Sequence, residues 1–268
     1  MFLHCLHITS LDLSSFDSSE VKDMSQMFCK CFNLKEINLK NLDTKKVTNM
    51  TQMFQKCKSL EKINFPSSFN TQNVKDISCM FADCQNLKEV NLNFDTQNVE
   101  KMNSLFIRCY ALKKIDLSSF KTNNVKNMAS VFYDCVNLEE IKFDPENFKT
   151  TSVESMGHMF YNCPALKLSK LSGFNTENVK YMNSMFSNCE DLSEIDLSNF
   201  SNKSADYINN MFDGCKKLKK INISSFVNKD YKFNNMFDNC PILEEVKVKD
   251  ENMKNKFQNE FNKINFKI

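Results

Sequence analysis

The sequence predicts an α/β solenoid with one parallel strand and one helix per unit and about ten units. Three observations carry that prediction. Ten cysteines, Cys5, Cys31, Cys57, Cys84, Cys109, Cys135, Cys163, Cys189, Cys215 and Cys240, follow one another at intervals of 25 to 28 residues. Self-similarity at such a period marks units that bury their apolar side only against their neighbours. Before each cysteine, apolar residues stand three and four apart, as at Val125, Met128, Val131, Phe132 and Cys135, which is the spacing of one buried helical face. After it, Leu138, Ile141 and Phe143 end in the alternation of a strand.

The first unit starts inside the pattern, because Met1-Phe2 falls on the Met-Phe column of Met27-Phe28, Met53-Phe54 and Met80-Phe81. Most of its helix is therefore missing. Phe2, Leu3, Leu6, Ile8, Leu11 and Leu13 are expected to face an uncovered end, either of a fragment of a longer repeat protein or of an end that something else caps. No signal peptide is evident in the chain.

Units two to nine are regular. Ser18, Thr44, Thr71, Thr96, Thr122, Thr150, Thr176 and Asn202 each stand 13 residues before a cysteine and are expected to cap helices, at about 1 kcal/mol per cap. The insertions fall between strand and helix, as in Phe65-Pro66-Ser67-Ser68, where a surface loop absorbs them. The Met-Phe pairs are read as core, and Leu42, Phe69, Phe120, Phe174, Phe200 and Phe226 as a spine that closes the turn. The pattern loosens at Leu168-Ser169, where the strand is expected to be shifted or short, and again where Asp230 takes a valine position. Residues 1–249 are assigned to the repeat. Residues 250–268 are assigned to a capping helix and strand, since Met253, Phe257 and Phe261 share one face and Ile264, Phe266 and Ile268 alternate.

Composition bounds the function. The chain is 41% hydrophobic and 25% charged, and has no apolar run long enough to span a bilayer directly. Its 35 basic and 33 acidic residues leave a net charge of +2, and Arg108 is the only arginine. A reader of phosphates or bases would use the bidentate guanidinium repeatedly, so nucleic acid is not an expected partner. Glycine-rich phosphate loops are absent, and His4, His7 and His158 fall in three different columns. No catalytic residue, metal site or cofactor is expected. The twelve cysteines read as a buried, reduced ladder, with rung-to-rung disulfides as the alternative and Cys79 as the best candidate for an exposed thiol.

The columns Leu-x-x-Ile-x-Leu-Ser-Ser-Phe and Thr-x-x-Val-x-x-Met-x-x-Val-Phe-x-x-Cys, as they stand from Leu112 to Cys135, resemble the 26-residue bacterial surface-protein repeat. That repeat belongs to the BspA-like branch of the leucine-rich repeats. The resemblance covers residues 2 to about 248. It implies a leucine-rich-repeat-like solenoid, a cell-surface or secreted location as part of a longer exported protein, and a role in adhesion. It brings no catalytic residues. The expected function is a non-catalytic module binding a protein or glycan ligand as a monomer, with an intracellular scaffold as the alternative. The open face of the sheet should carry the contact, through Asp12, Asn38, Asn64, Asn91, Asp116, Lys142, Asp196 and Asn222. Lys170 and Lys247 complete that column, and Glu36, Lys62, Glu89, Lys114, Glu140, Glu194, Lys220 and Glu245 flank it.

Overall fold

In the computed structural model, residues 2–168, 171–228, 233–261 and 264–268 are described. Ser169, Lys170 and Asp230 lie outside them. Nine short strands recur along the chain: β1 (Ser10–Asp12), β2 (Glu36–Asn38), β3 (Lys62–Asn64), β4 (Glu89–Asn91), β5 (Lys114–Asp116), β6 (Glu140–Lys142), β7 (Glu194–Asp196), β8 (Lys220–Asn222) and β9 (Glu245–Lys247). The helix α1 (Glu251–Glu260) and the strand β10 (Asn265–Lys267) close the chain. Every strand pairing is parallel and keeps the same columns in register. The architecture is a parallel-strand solenoid of about nine turns, with an uninterrupted core from Leu13 to Phe266. Asp250 caps α1 by accepting the Met253 N–H at 3.0 Å, and Met253, Phe257 and Phe266 are buried over the last rung.

One helix per unit is not what forms. Among the described residues α1 is the only helix. From Met128 to Asp134, alternate N–H groups reach the next rung: Met128 to the Ser155 carbonyl, Ser130 to Gly157, Phe132 to Met159 and Asp134 to Tyr161, at 2.9–3.0 Å. The intervening residues close tight turns, with Tyr133 N–H on the Ser130 carbonyl and Cys135 N–H on that of Phe132. Two residues per turn sit in the left-handed region, Ser130 and Asp134 here, both at φ 58°. A helix cannot accommodate them. The turns still bury Val125, Met128, Val131, Phe132 and Cys135 completely, so the three-and-four spacing is satisfied by a different backbone.

The threonine column changes role with it. The Thr122 hydroxyl donates to the Lys149 carbonyl at 2.5 Å, Thr150 to Asn175 at 2.7 Å and Thr176 to Ser201 at 2.7 Å. These fully buried hydroxyls tie each rung to the next and do not cap helices. Thr122→Val keeps the side-chain shape but leaves the Lys149 carbonyl without its donor. It is expected to cost about 1–3 kcal/mol in urea unfolding, with Thr122→Ser losing much less. Equal midpoints for all three proteins would refute the tie.

Candidate functional site

The open face is built by residues that point away from the core at both ends of each three-residue strand. In β3 and β5, Ile63 and Ile115 face inward while Lys62, Asn64, Lys114 and Asp116 are exposed. Cross-strand pairs run along this face: Lys62 with Glu89 at 2.6 Å, Lys114 with Glu140 at 2.8 Å, and Lys142 with Asp116 at 3.1 Å. Opposite charges in register on neighbouring strands favour this pairing, but such exposed pairs add little stability. Hydrogen bonds from Ser118, then the Lys142 ammonium, hold the Asp116 carboxyl below its ordinary range. The Lys62 ammonium does the same to Glu89.

Most of the polar column has a local task. Asp12, Asn38, Asp116, Asp196 and Asn222 each accept the N–H two residues on, from Ser14, Lys40, Ser118, Ser198 and Ser224, at 2.8–3.1 Å. This side-chain turn ends the strand and accounts for Asp and Asn in that column. Asn38 also donates to Asp12 at 3.0 Å. Asn64 and Asn91 differ. Two residues after Asn64 stands Pro66, which has no N–H to give, and after Asn91 the connection Leu92-Asn93-Phe94-Asp95 is short. Among the described residues neither amide is hydrogen-bonded, although the two are register partners on β3 and β4.

These two amides open into a cavity of about 670 Å³, whose other walls include Lys88, Lys113, Lys114, Asp116, Glu140 and Lys142. The strand ladder breaks in the middle of it, since β3 pairs with β4 and β5 with β6, but β4 does not pair with β5. Of the residues expected from the sequence, Asn64, Asn91, Asp116 and Lys142 are brought together here. Asp12, Asn38, Asp196 and Asn222 lie outside this cavity. Lys113 and Lys88 were not expected. Lys88 is paired with Glu61 at 2.7 Å, whereas Lys113 joins none of the described ion pairs.

The cysteines do not form a reactive site. All twelve are free, and each column thiol from Cys31 to Cys240 donates to the phenylalanine carbonyl of the preceding rung at 3.0–3.2 Å, as Cys135 does to Phe106. Burial pushes Cys31 up to about 11 and Cys189 up to about 12. Cys79 is half-buried, a state it shares with Cys5 and Cys240, so it does not stand apart as the exposed thiol. His158 is half-buried between Tyr133 and Tyr161, with Nε2 2.9 Å from the Asn183 amide, and burial lowers its pKa.

Comparison with known proteins adds the family and little else. The family described as "Mycoplasma protein of unknown function, DUF285" matches residues 1–92, 63–142 and 137–249. No curated protein matches the chain. A leucine-rich repeat protein from Bacteroides ovatus is similar in structure at 20% identity and TM-score 0.35, over 99% of this chain and 85% of that one. A leucine-rich repeat protein of T. pallidum gives 21% and 0.37, over 71% and 68%. A leucine-rich cell surface protein from Faecalibacterium prausnitzii gives 16% and 0.36, over 93% and 85%. Likenesses this weak carry nothing about curvature or ligand.

Proposed function

Because the chain belongs to the DUF285 family, we propose that it is a non-catalytic interaction module of the BspA-like kind, which holds a protein or glycan partner on the open face of its sheet at the cell surface. The observation that carries the reading is the cavity over β3 to β6. Two hydrogen-bonding amides on adjacent rungs are left without partners there, while the same column elsewhere largely closes turns. A shallow, polar, multi-rung surface suits a macromolecular contact with affinity spread over several rungs. Among the described residues no helix is long and apolar enough to cross a membrane. An intracellular scaffold is the alternative and would use the same face.

The test is a pull-down and a glycan array with the intact protein, repeated with Asn64→Lys, Asn91→Lys and Asp116→Lys combined. The triple variant is expected to lose about tenfold or more in affinity, and Asn64→Lys with Asn91→Lys, which leaves the Asp116–Ser118 turn in place, is expected to lose affinity while unfolding like the parent. Unchanged binding would move the contact to the turn wall or the loops. Turnover of a bound ligand would overturn the non-catalytic reading.

A further inference from the structure

The first and third residues of β1 to β6 are exposed, so this stretch of the sheet face carries two columns of side chains. The first reads Ser10, Glu36, Lys62, Glu89, Lys114, Glu140, with the charge alternating at every rung from Glu36 on. The third reads Asp12, Asn38, Asn64, Asn91, Asp116, Lys142. Both columns are self-complementary about the same point. A twofold axis lying in the face, along the strands and midway between β3 and β4, reverses the order of the rungs and sets each column opposite itself. Lys62 then meets Glu89 of a second copy, Glu36 meets Lys114, Asp12 meets Lys142, Asn38 meets Asp116 and Asn64 meets Asn91. Each meeting occurs twice, because a twofold contact is reciprocal. An axis running through a strand would instead set like on like, as Glu89 on Glu89.

All five meetings join groups that attract. Three pair opposite charges, and in the fourth the Asn38 amide faces a carboxylate that accepts. Carboxamides both donate and accept, so Asn64 and Asn91, whose amides have no hydrogen bond among the described residues, can satisfy one another across the axis. In the column just ahead of the strands, Glu61 meets Lys88 favourably and Lys35 meets Lys113 unfavourably, and the two offset. Within one chain, exposed ion pairs such as Lys62–Glu89 and Lys114–Glu140 add little. Between two copies the same charges fix the register and reject misaligned faces. Neither column holds an aromatic side chain, the usual anchor of a tight interface, so a single pair is weak and many copies side by side would hold by avidity.

We propose that the partner held on this face is a second copy of the same chain, packed face to face about an axis between β3 and β4 with the two solenoids antiparallel. This rests on the sheet-face reading and names its partner. The test is sedimentation equilibrium of the intact chain. A monomer–dimer equilibrium with a Kd of about 100 µM or tighter is expected at low salt, weakened about tenfold or more at about 1 M salt. Lys62→Glu and Glu89→Lys should each weaken the dimer about tenfold or more, since each sets two like-charged pairs across the axis. Mixed in equal amounts, the two variants should form a heterodimer about as tight as the parent dimer, because the two reversed charges then face each other and the two native ones do the same. An axis shifted by one rung would give no such rescue. A parent chain that stays monomeric at about 500 µM would overturn the proposal, and so would variants that fail to pair when mixed. If that monomeric parent still loses a captured partner on Asn64→Lys with Asn91→Lys, only the second copy is overturned. If its captured partner is indifferent to those changes, the sheet-face reading falls with it.

Discussion

Phe132→Ala is expected to destabilise the protein by about 3–5 kcal/mol, the range for emptying a large buried aromatic site. The ring is fully buried and lies between Phe106 at 5.7 Å and Phe160 at 5.8 Å, with both neighbours tilted by 5°. These contacts belong to one stack that runs through Phe2, Phe28, Phe54, Phe81, Phe106, Phe132, Phe160, Phe186, Phe212 and Phe237. Because a rung is stabilised by its neighbours, a gap at the centre weakens two interfaces, whereas one at the end weakens a single interface. Phe2→Ala, at a half-buried ring with one stacking neighbour, should therefore cost well under half as much. Urea-unfolding midpoints would decide it. Equal losses at the two positions would mean that the stack does not couple the rungs.

Stability should also collapse on the alkaline side. Cys84, Cys109, Cys135, Cys163 and Cys189 are fully buried, and burial raises each thiol above its ordinary 9.0. The folded state keeps the proton that the unfolded chain gives up near pH 9. The unfolded state thus binds fewer protons as pH rises, and unfolding becomes easier. The contribution is fully present below about pH 9 and is lost toward the folded-state value, which for Cys189 is about 12. Each thiol contributes a slope of about 1.4 kcal/mol per pH unit, so five give about 7 kcal/mol per unit. That rivals the whole stability of a typical domain, about 5–15 kcal/mol. Urea midpoints measured under reductant from pH 7 to 10 should fall steeply above 9. A flat profile would show that the ladder is not buried in its neutral form. The same protonation should keep these thiols from reacting with alkylating reagents at pH 7 until the chain unfolds.

Much of this was legible because burial follows composition. The cysteine period, the Leu-x-x-Ile-x-Leu strand and the Met-Phe columns identify the repeat and nearly every core residue, and the parallel strands lie where the alternation places them. Within the candidate face, Pro66 was the readable signal that separates Asn64 from Asn38 and Asn222, since it removes the N–H that those residues bind. Lys113 was not legible. Its column also holds Lys35 and Lys88, and only the tertiary pairing shows that Lys88 meets Glu61.

The helix is where sequence and structure part. Val125, Met128, Val131, Phe132 and Cys135 state which side chains must be inside, and that requirement is met equally by one helical face or by two tight turns kinked at Ser130 and Asp134. A hint lay in the Asp134 column, where Asp83, Asn162, Asn188, Gly214 and Asn239 are residues that tolerate a left-handed backbone, although Lys30, Lys56 and Arg108 share it. What selects the turns is the partner of each N–H. In a helix it is four residues back, and here it is the carbonyl one rung on, which exists only once the neighbouring rung has packed. The sequence determined the repeat, its length and its inside. Only the assembled solenoid decided the backbone that closes each turn, because those hydrogen bonds are made between units and not within them.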